Sequence, residues 1–86
     1  MKASHILVAT REQADAILAE ANALNFGSLA QQHSSCPSKA RGGDLGEFGP
    51  GMMVKPFEDA TVATPVGSIS QPVQTQFGFH LIHRTG

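Results

Sequence analysis

The chain has 86 residues, 41% of them hydrophobic and 15% charged, with a formal net charge of -1. That composition predicts one domain, residues 1–86, with a packed core; it argues against disorder and leaves no basic stripe for nucleic acid. A single cysteine, Cys36, excludes an intramolecular disulfide framework and fits a reducing compartment, and no run reaches the roughly 20 apolar residues of a membrane span, so a cytoplasmic protein is expected.

Residues 3–9 read as a strand, with Ile6, Leu7 and Val8 apolar toward both faces, as in a central strand covered on two sides. Side chains alternate along a strand, so His5 shares a face with Leu7. Thr10-Arg11-Glu12-Gln13 has the form of a capping box. The helix after it carries Ala14, Ile17, Leu18, Ala21 and Leu24 at helical spacing, and Asn25 is expected to end it. A second short helix starts near Phe26 to Ser28 and stops before Pro37. Residues 35–51 are rich in glycine and read as a loop, a short strand around Leu45 to Phe48 and a further turn. Pro56 suits the start of a helix that runs to about Ala63. Ile69 to Val73 can form a strand interrupted at Pro72 and is expected to be irregular or at an edge, and Phe79 to Arg84 is a last strand, joined through Thr75-Gln76-Phe77-Gly78. The order predicts an α+β fold with a small, largely antiparallel sheet.

Four histidines and one cysteine are the residues to weigh for chemistry. His80 and His83 stand three apart on a strand, which aims them at opposite faces and argues against a shared metal. Neither a thiolate pair nor a His-Glu-x-x-His pattern is present. The run Gly42-Gly43-Asp44-Leu45 lacks the Lys-Ser/Thr of a phosphate loop and leads into a strand rather than a helix. A cysteine hydrolase would need Cys36 activated by a histidine such as His5 or His80, and the sequence around Cys36 carries no protease signature.

Five segments resemble the parvulins, a family of peptidyl-prolyl cis/trans isomerases. They are Ala3-Ser4-His5-Ile6-Leu7-Val8, then Phe26-Gly27-Ser28-Leu29-Ala30 with His33-Ser34 and Cys36-Pro37-Ser38, then Arg41-Gly42-Gly43-Asp44-Leu45-Gly46-Glu47-Phe48, then Gly51 to Ala60, and finally Thr75 to Ile82. The resemblance runs from Ala3 to about Arg84 in unbroken order. It implies a four-stranded antiparallel sheet wrapped by about four helices, in the order β-ααα-β-α-β-β. It implies a catalytic set of His5, Cys36, Thr75 and His80, in which the two histidines lie under the floor of the site. It also implies a substrate-binding set of Leu45, Met53 and Phe57, with Phe48 and Phe77 as further walls. The expected enzyme assists protein folding as a monomer, with no cofactor and no metal. Its partners are proline-containing polypeptides, unphosphorylated and apolar before proline. Alanine at position 9 stands where phosphate-directed parvulins begin a basic cluster, and Arg11 is the only nearby cation. A weakly catalytic binding or chaperone-like module using the same groove is the alternative.

Overall fold

The computed structural model describes residues 1–86. The elements are β1 (Lys2–Val8), α1 (Arg11–Glu20), α2 (Phe26–His33), a 3₁₀ turn (Pro37–Arg41), β2 (Asp44–Glu47), α3 (Lys55–Ala63), β3 (Val73–Thr75) and β4 (Gly78–Arg84). Three α-helices and one 3₁₀ turn thus occupy the places of the expected four helices. The sheet order is β2-β1-β4-β3 and every neighbouring pair is antiparallel. The long strands β1 and β4 form its centre, with Ala3 opposite Arg84 and Leu7 opposite His80. Pro72 keeps β3 to three residues at the edge, and Ile69 makes only an isolated bridge to His83.

Alternation along the two central strands divides the core. Ile6, Val8 and Leu81 pack with Ala14, Ile17, Phe26, Leu29 and Ala30 of α1 and α2. On the other face, Ala3 and Ile82 pack with Phe48 and with Phe57 of α3. Both layers are built around aromatic rings, and a fully buried phenylalanine such as Phe26 contributes about 1.5–3 kcal/mol through the apolar surface it removes from water.

The capping box is formed: Thr10 Oγ1 accepts from the Gln13 amide and Gln13 Oε1 accepts from the Thr10 amide, both at 3.2 Å. The far end of α1 departs from the sequence reading. The helix stops at Glu20, before Asn25, and Leu24 is 97% exposed although it continues the apolar stripe. Two asparagines cause this. Asn22 Oδ1 accepts from the Leu24 and Asn25 amides at 2.8 and 2.9 Å, and the Asn25 side chain bonds the Asn22 amide and the Glu20 carbonyl, each at 2.7 Å. Side chains that satisfy the backbone locally displace the helical pattern. At the end of α3, the Arg84 guanidinium donates to the carbonyls of Thr61, Val62 and Thr64 at 3.2–3.4 Å and closes the helix from the last strand.

Candidate active site

The face of β1 and β4 turned toward α3 carries Leu7, His5 and His80. In the register, His80 lies opposite Leu7 and one step diagonally from His5, which brings the two imidazoles together. Their Nδ1 atoms are 3.0 Å apart, and the rings stack with centroids 5.2 Å apart. His5 Nε2 meets the Ser38 hydroxyl at 3.2 Å, and His80 Nε2 meets the Thr75 hydroxyl at 2.8 Å. The Phe77 amide donates to the same Thr75 oxygen at 3.1 Å. A chain of four side chains, Ser38-His5-His80-Thr75, therefore runs beneath the site from the 3₁₀ turn to β3. Phe57 stands edge-on to both imidazoles, at 5.5 and 5.1 Å.

Both histidines are buried. Burial lowers the His5 pKa to about 4; burial and then repulsion from His5 lower the His80 pKa to about 4. The geometry agrees, because a direct Nδ1-to-Nδ1 bond needs one ring to donate and the other to accept. Two neutral rings in complementary tautomers satisfy it; two imidazolium rings set donor against donor.

Gly43 ties this chain to its surroundings. Its amide donates to the Ser38 carbonyl and its carbonyl accepts from the His5 amide, both at 2.9 Å. Its φ is +81°, and a Cβ there would collide with the His5 carbonyl oxygen. Glycine is required on both counts.

Above the histidines lies a cleft of about 520 Å³, the largest on the molecule. Leu7, Leu45, Met53, Val54 and Phe57 line it with Cys36, Pro37 and the histidines, and Met52 and Phe77 stand at its mouth with 68% and 61% of their surface exposed. No lysine or arginine lines it. Of the residues singled out in the sequence, His5, Cys36, Leu45, Met53, Phe57, Phe77 and His80 meet in this cleft, and Thr75 reaches it through His80.

Phe48 does not line the cleft. It is 3% exposed and packs beneath Phe57, with ring centroids 6.1 Å apart. Regular alternation would put Phe48 across the sheet from Leu45. Gly46 at φ +69° and the register shift between β1 and β2 interrupt that alternation and turn Phe48 inward. Phe48 supports the floor from below. Conversely, Ser38 was missed by the sequence reading: it lies within the Cys36-Pro37-Ser38 segment, but only its burial and its bond to His5 distinguish it from other serines.

Cys36 is partly buried, and its thiol has no hydrogen-bond partner. The nitrogens of His5 and His80 are occupied by each other, Ser38 and Thr75. His33 borders a separate small cleft beside Ile17, and His83 lies on the opposite face of the sheet against Phe26, at 5.4 Å. His5 and His80 share the cleft with Cys36 but make no hydrogen bond to its thiol, whereas the hydrolase alternative requires one of them to be bonded to it.

Residues 5–86 match the family model of the rotamase, or PPIC-type PPIase, domain. The chain belongs to this family. Among parvulins and related foldases, Foldase protein PrsA 4 of Bacillus cereus is 48% identical over 87 residues, which cover 99% of this chain and 31% of that protein. Peptidyl-prolyl cis-trans isomerase Pin1 of Digitalis lanata is 58% identical over 62 residues, 72% of this chain and 52% of that protein. The chain therefore spans about a third to a half of the length of these curated relatives. The solution structure of NmPin, the parvulin of Nitrosopumilus maritimus, superposes with a TM-score of 0.82 at 41% identity, covering all of this chain and 95% of that one. No helix of the chain is long and apolar enough to cross a membrane.

Proposed function

We propose that residues 1–86 form a single isomerase domain that rotates Xaa-Pro peptide bonds in polypeptides and so assists their folding. The observation that carries the reading is the apolar cleft of Leu45, Met53 and Phe57 set directly over an internally bonded histidine pair. The barrier to amide rotation is about 18–20 kcal/mol, and uncatalysed Xaa-Pro exchange takes tens to hundreds of seconds. Reaching milliseconds requires a factor of about 10⁴, or roughly 5.5 kcal/mol. No bond is made or broken, so binding the twisted amide better than either planar form is sufficient. The apolar walls hold the proline ring and disfavour the charge-separated resonance form of the planar amide. Cys36, at the edge of the cleft with its thiol unengaged, is free to interact with the carbonyl as conjugation is lost. Ser38, His5, His80 and Thr75 fix the floor and transfer no proton.

The substrates in this reading are unphosphorylated. A phosphate recognised before proline needs Arg or Lys converging on it. Arg11 is exposed and engaged with Asp15 at 3.9 Å, and Arg41 borders a different cleft with Lys2 and His83. Exposed Met52 and Phe77 favour an apolar residue before proline. They also suit prolonged contact with unfolded chain, so a purely chaperone-like module is the second reading. We take the domain to act as a cytoplasmic monomer; the single free thiol, which a reducing compartment preserves, supports that location. Exchange NMR on Leu-Pro peptides at substoichiometric protein separates the readings, since a binding module leaves the exchange rate unchanged.

A further inference from the structure

The part of the cleft wall formed by Met52 and Met53 has no regular secondary structure. It belongs to the connection Gly49-Pro50-Gly51-Met52-Met53-Val54 between β2 and α3. Two contacts are internal to it: the Met52 amide donates to the Gly49 carbonyl at 3.3 Å, and the Gly49 amide meets Met52 Sδ at 3.2 Å. From residues 49–53 one hydrogen bond runs to the rest of the molecule. The Gly51 amide donates to Glu58 Oε1 at 2.7 Å. Gly51 has φ +84°, which turns the chain back toward α3.

Glu58 is half-buried in the first turn of α3, next to Phe57, and does not line the cleft. It makes no ion pair. The neighbouring acid, Asp59, is the one that pairs with Lys55, at 3.5 Å on an exposed flank. The Glu58 carboxylate thus has one partner, the loop amide, and bonds of this charge-assisted kind are stronger than neutral ones.

We propose that Glu58 is a positioning residue for the isomerase: it fixes the loop that holds Met52 and Met53 in place as a wall of the cleft. The proposal rests on the isomerase reading above. Met53 also packs against the cluster of Phe48 and Phe57, so without the bond the loop keeps that contact but samples arrangements in which Gly51 and Met52 swing away and the wall is incomplete. Substrate then selects the competent fraction, so KM rises while kcat at saturation changes little. An acidic side chain in a first helical turn also favours the helix through its charge alone. That role predicts no KM-against-kcat split and no recovery on substituting glutamine, which keeps the acceptor oxygen and loses the charge.

The test compares wild type with Glu58→Ala, Glu58→Gln and Glu58→Asp. One readout is steady-state isomerisation of a Leu-Pro peptide, and the other is ¹⁵N relaxation of the amides of residues 49–53. Glu58→Ala is expected to raise KM about fivefold or more, with kcat within about twofold, as for loss of one charge-assisted hydrogen bond. Glu58→Asp, one methylene short, should resemble it, and should do so even if the alanine variant fails to fold. Glu58→Gln, which keeps a weaker neutral acceptor, should fall between wild type and Glu58→Asp. Loop amides should gain more motion in the Asp and Ala variants than in the Gln variant. Unchanged KM in Glu58→Asp, a glutamine variant as impaired as the aspartate one, or a fall in kcat at constant KM would each overturn the proposal. If wild type itself does not catalyse exchange, the isomerase reading fails. The relaxation data then still decide whether Glu58 holds the loop, and a rigid loop in Glu58→Asp says that it does not.

Discussion

His5 and His80 are joined Nδ1 to Nδ1 at 3.0 Å, a contact that two neutral imidazoles satisfy and two charged ones do not. Each has its pKa lowered to about 4 by burial, against an ordinary value of 6.5. The unfolded chain therefore binds more protons than the folded one between about pH 4 and 6.5. The stability that depends on these rings is fully present above pH 6.5 and is lost as pH falls toward 4. Denaturant unfolding should show that slope, and imidazole ¹⁵N shifts should report both rings neutral at pH 6. Turnover should be flat from pH 6 to 8. A ring titrating at 6.5 or above, or a bell-shaped profile centred near 7, contradicts this account.

Cys36 is predicted to act without covalent chemistry. Cys36→Asp should retain measurable turnover, and Cys36→Ala should lose more, because it removes the polar group at the edge of the cleft. Mass spectrometry should find no thioester with a proline peptide. A trapped acyl intermediate, or no turnover in a folded Cys36→Asp variant, would refute the prediction.

Phe57 and Met53 should separate stability from binding. Phe57 is buried and touches Phe48 and both histidines, so Phe57→Ala should cost about 3 kcal/mol or more and abolish most activity. Met53 is half-buried, and Met53→Ala should unfold at nearly the wild-type denaturant midpoint while losing turnover. Near-normal activity in a folded Phe57→Ala variant would remove the cleft from the account.

Phosphorylation before proline should give no advantage. With Leu-Pro, Glu-Pro and phosphoserine-Pro peptides of otherwise equal sequence, kcat/KM is expected to be highest for Leu-Pro. A phosphopeptide preference of tenfold, about 1.4 kcal/mol in the transition state, would mean that cations outside the cleft converge on the substrate.

The facing of two histidines was legible because it obeys the two-residue period of a strand, while Cys36, Leu45, Met53, Phe57, Phe77 and Thr75 were marked by the resemblance to the parvulins. Placing His5 with Leu7, and His80 opposite in facing to His83, required only alternation, and the structure has both. Where the backbone leaves that regularity, the sequence misleads. Phe48 follows Gly46, whose positive φ breaks the pleat, so an aromatic expected at the wall is buried under the floor. Leu24 extends a helical stripe, but the side chains of Asn22 and Asn25 end the helix before it. Ser38 and Glu58 act through single hydrogen bonds to residues distant in the chain or beyond a loop, and no periodicity marks such pairs.

The central claim is that the cleft over the histidine pair lowers the barrier to Xaa-Pro rotation, and exchange NMR on a short Leu-Pro peptide tests it most directly. With protein at about one part in a hundred of peptide, and no metal or nucleotide added, cis and trans resonances should broaden or exchange on the millisecond to second scale instead of tens of seconds. Unchanged exchange in the presence of protein shown to be folded would contradict the account.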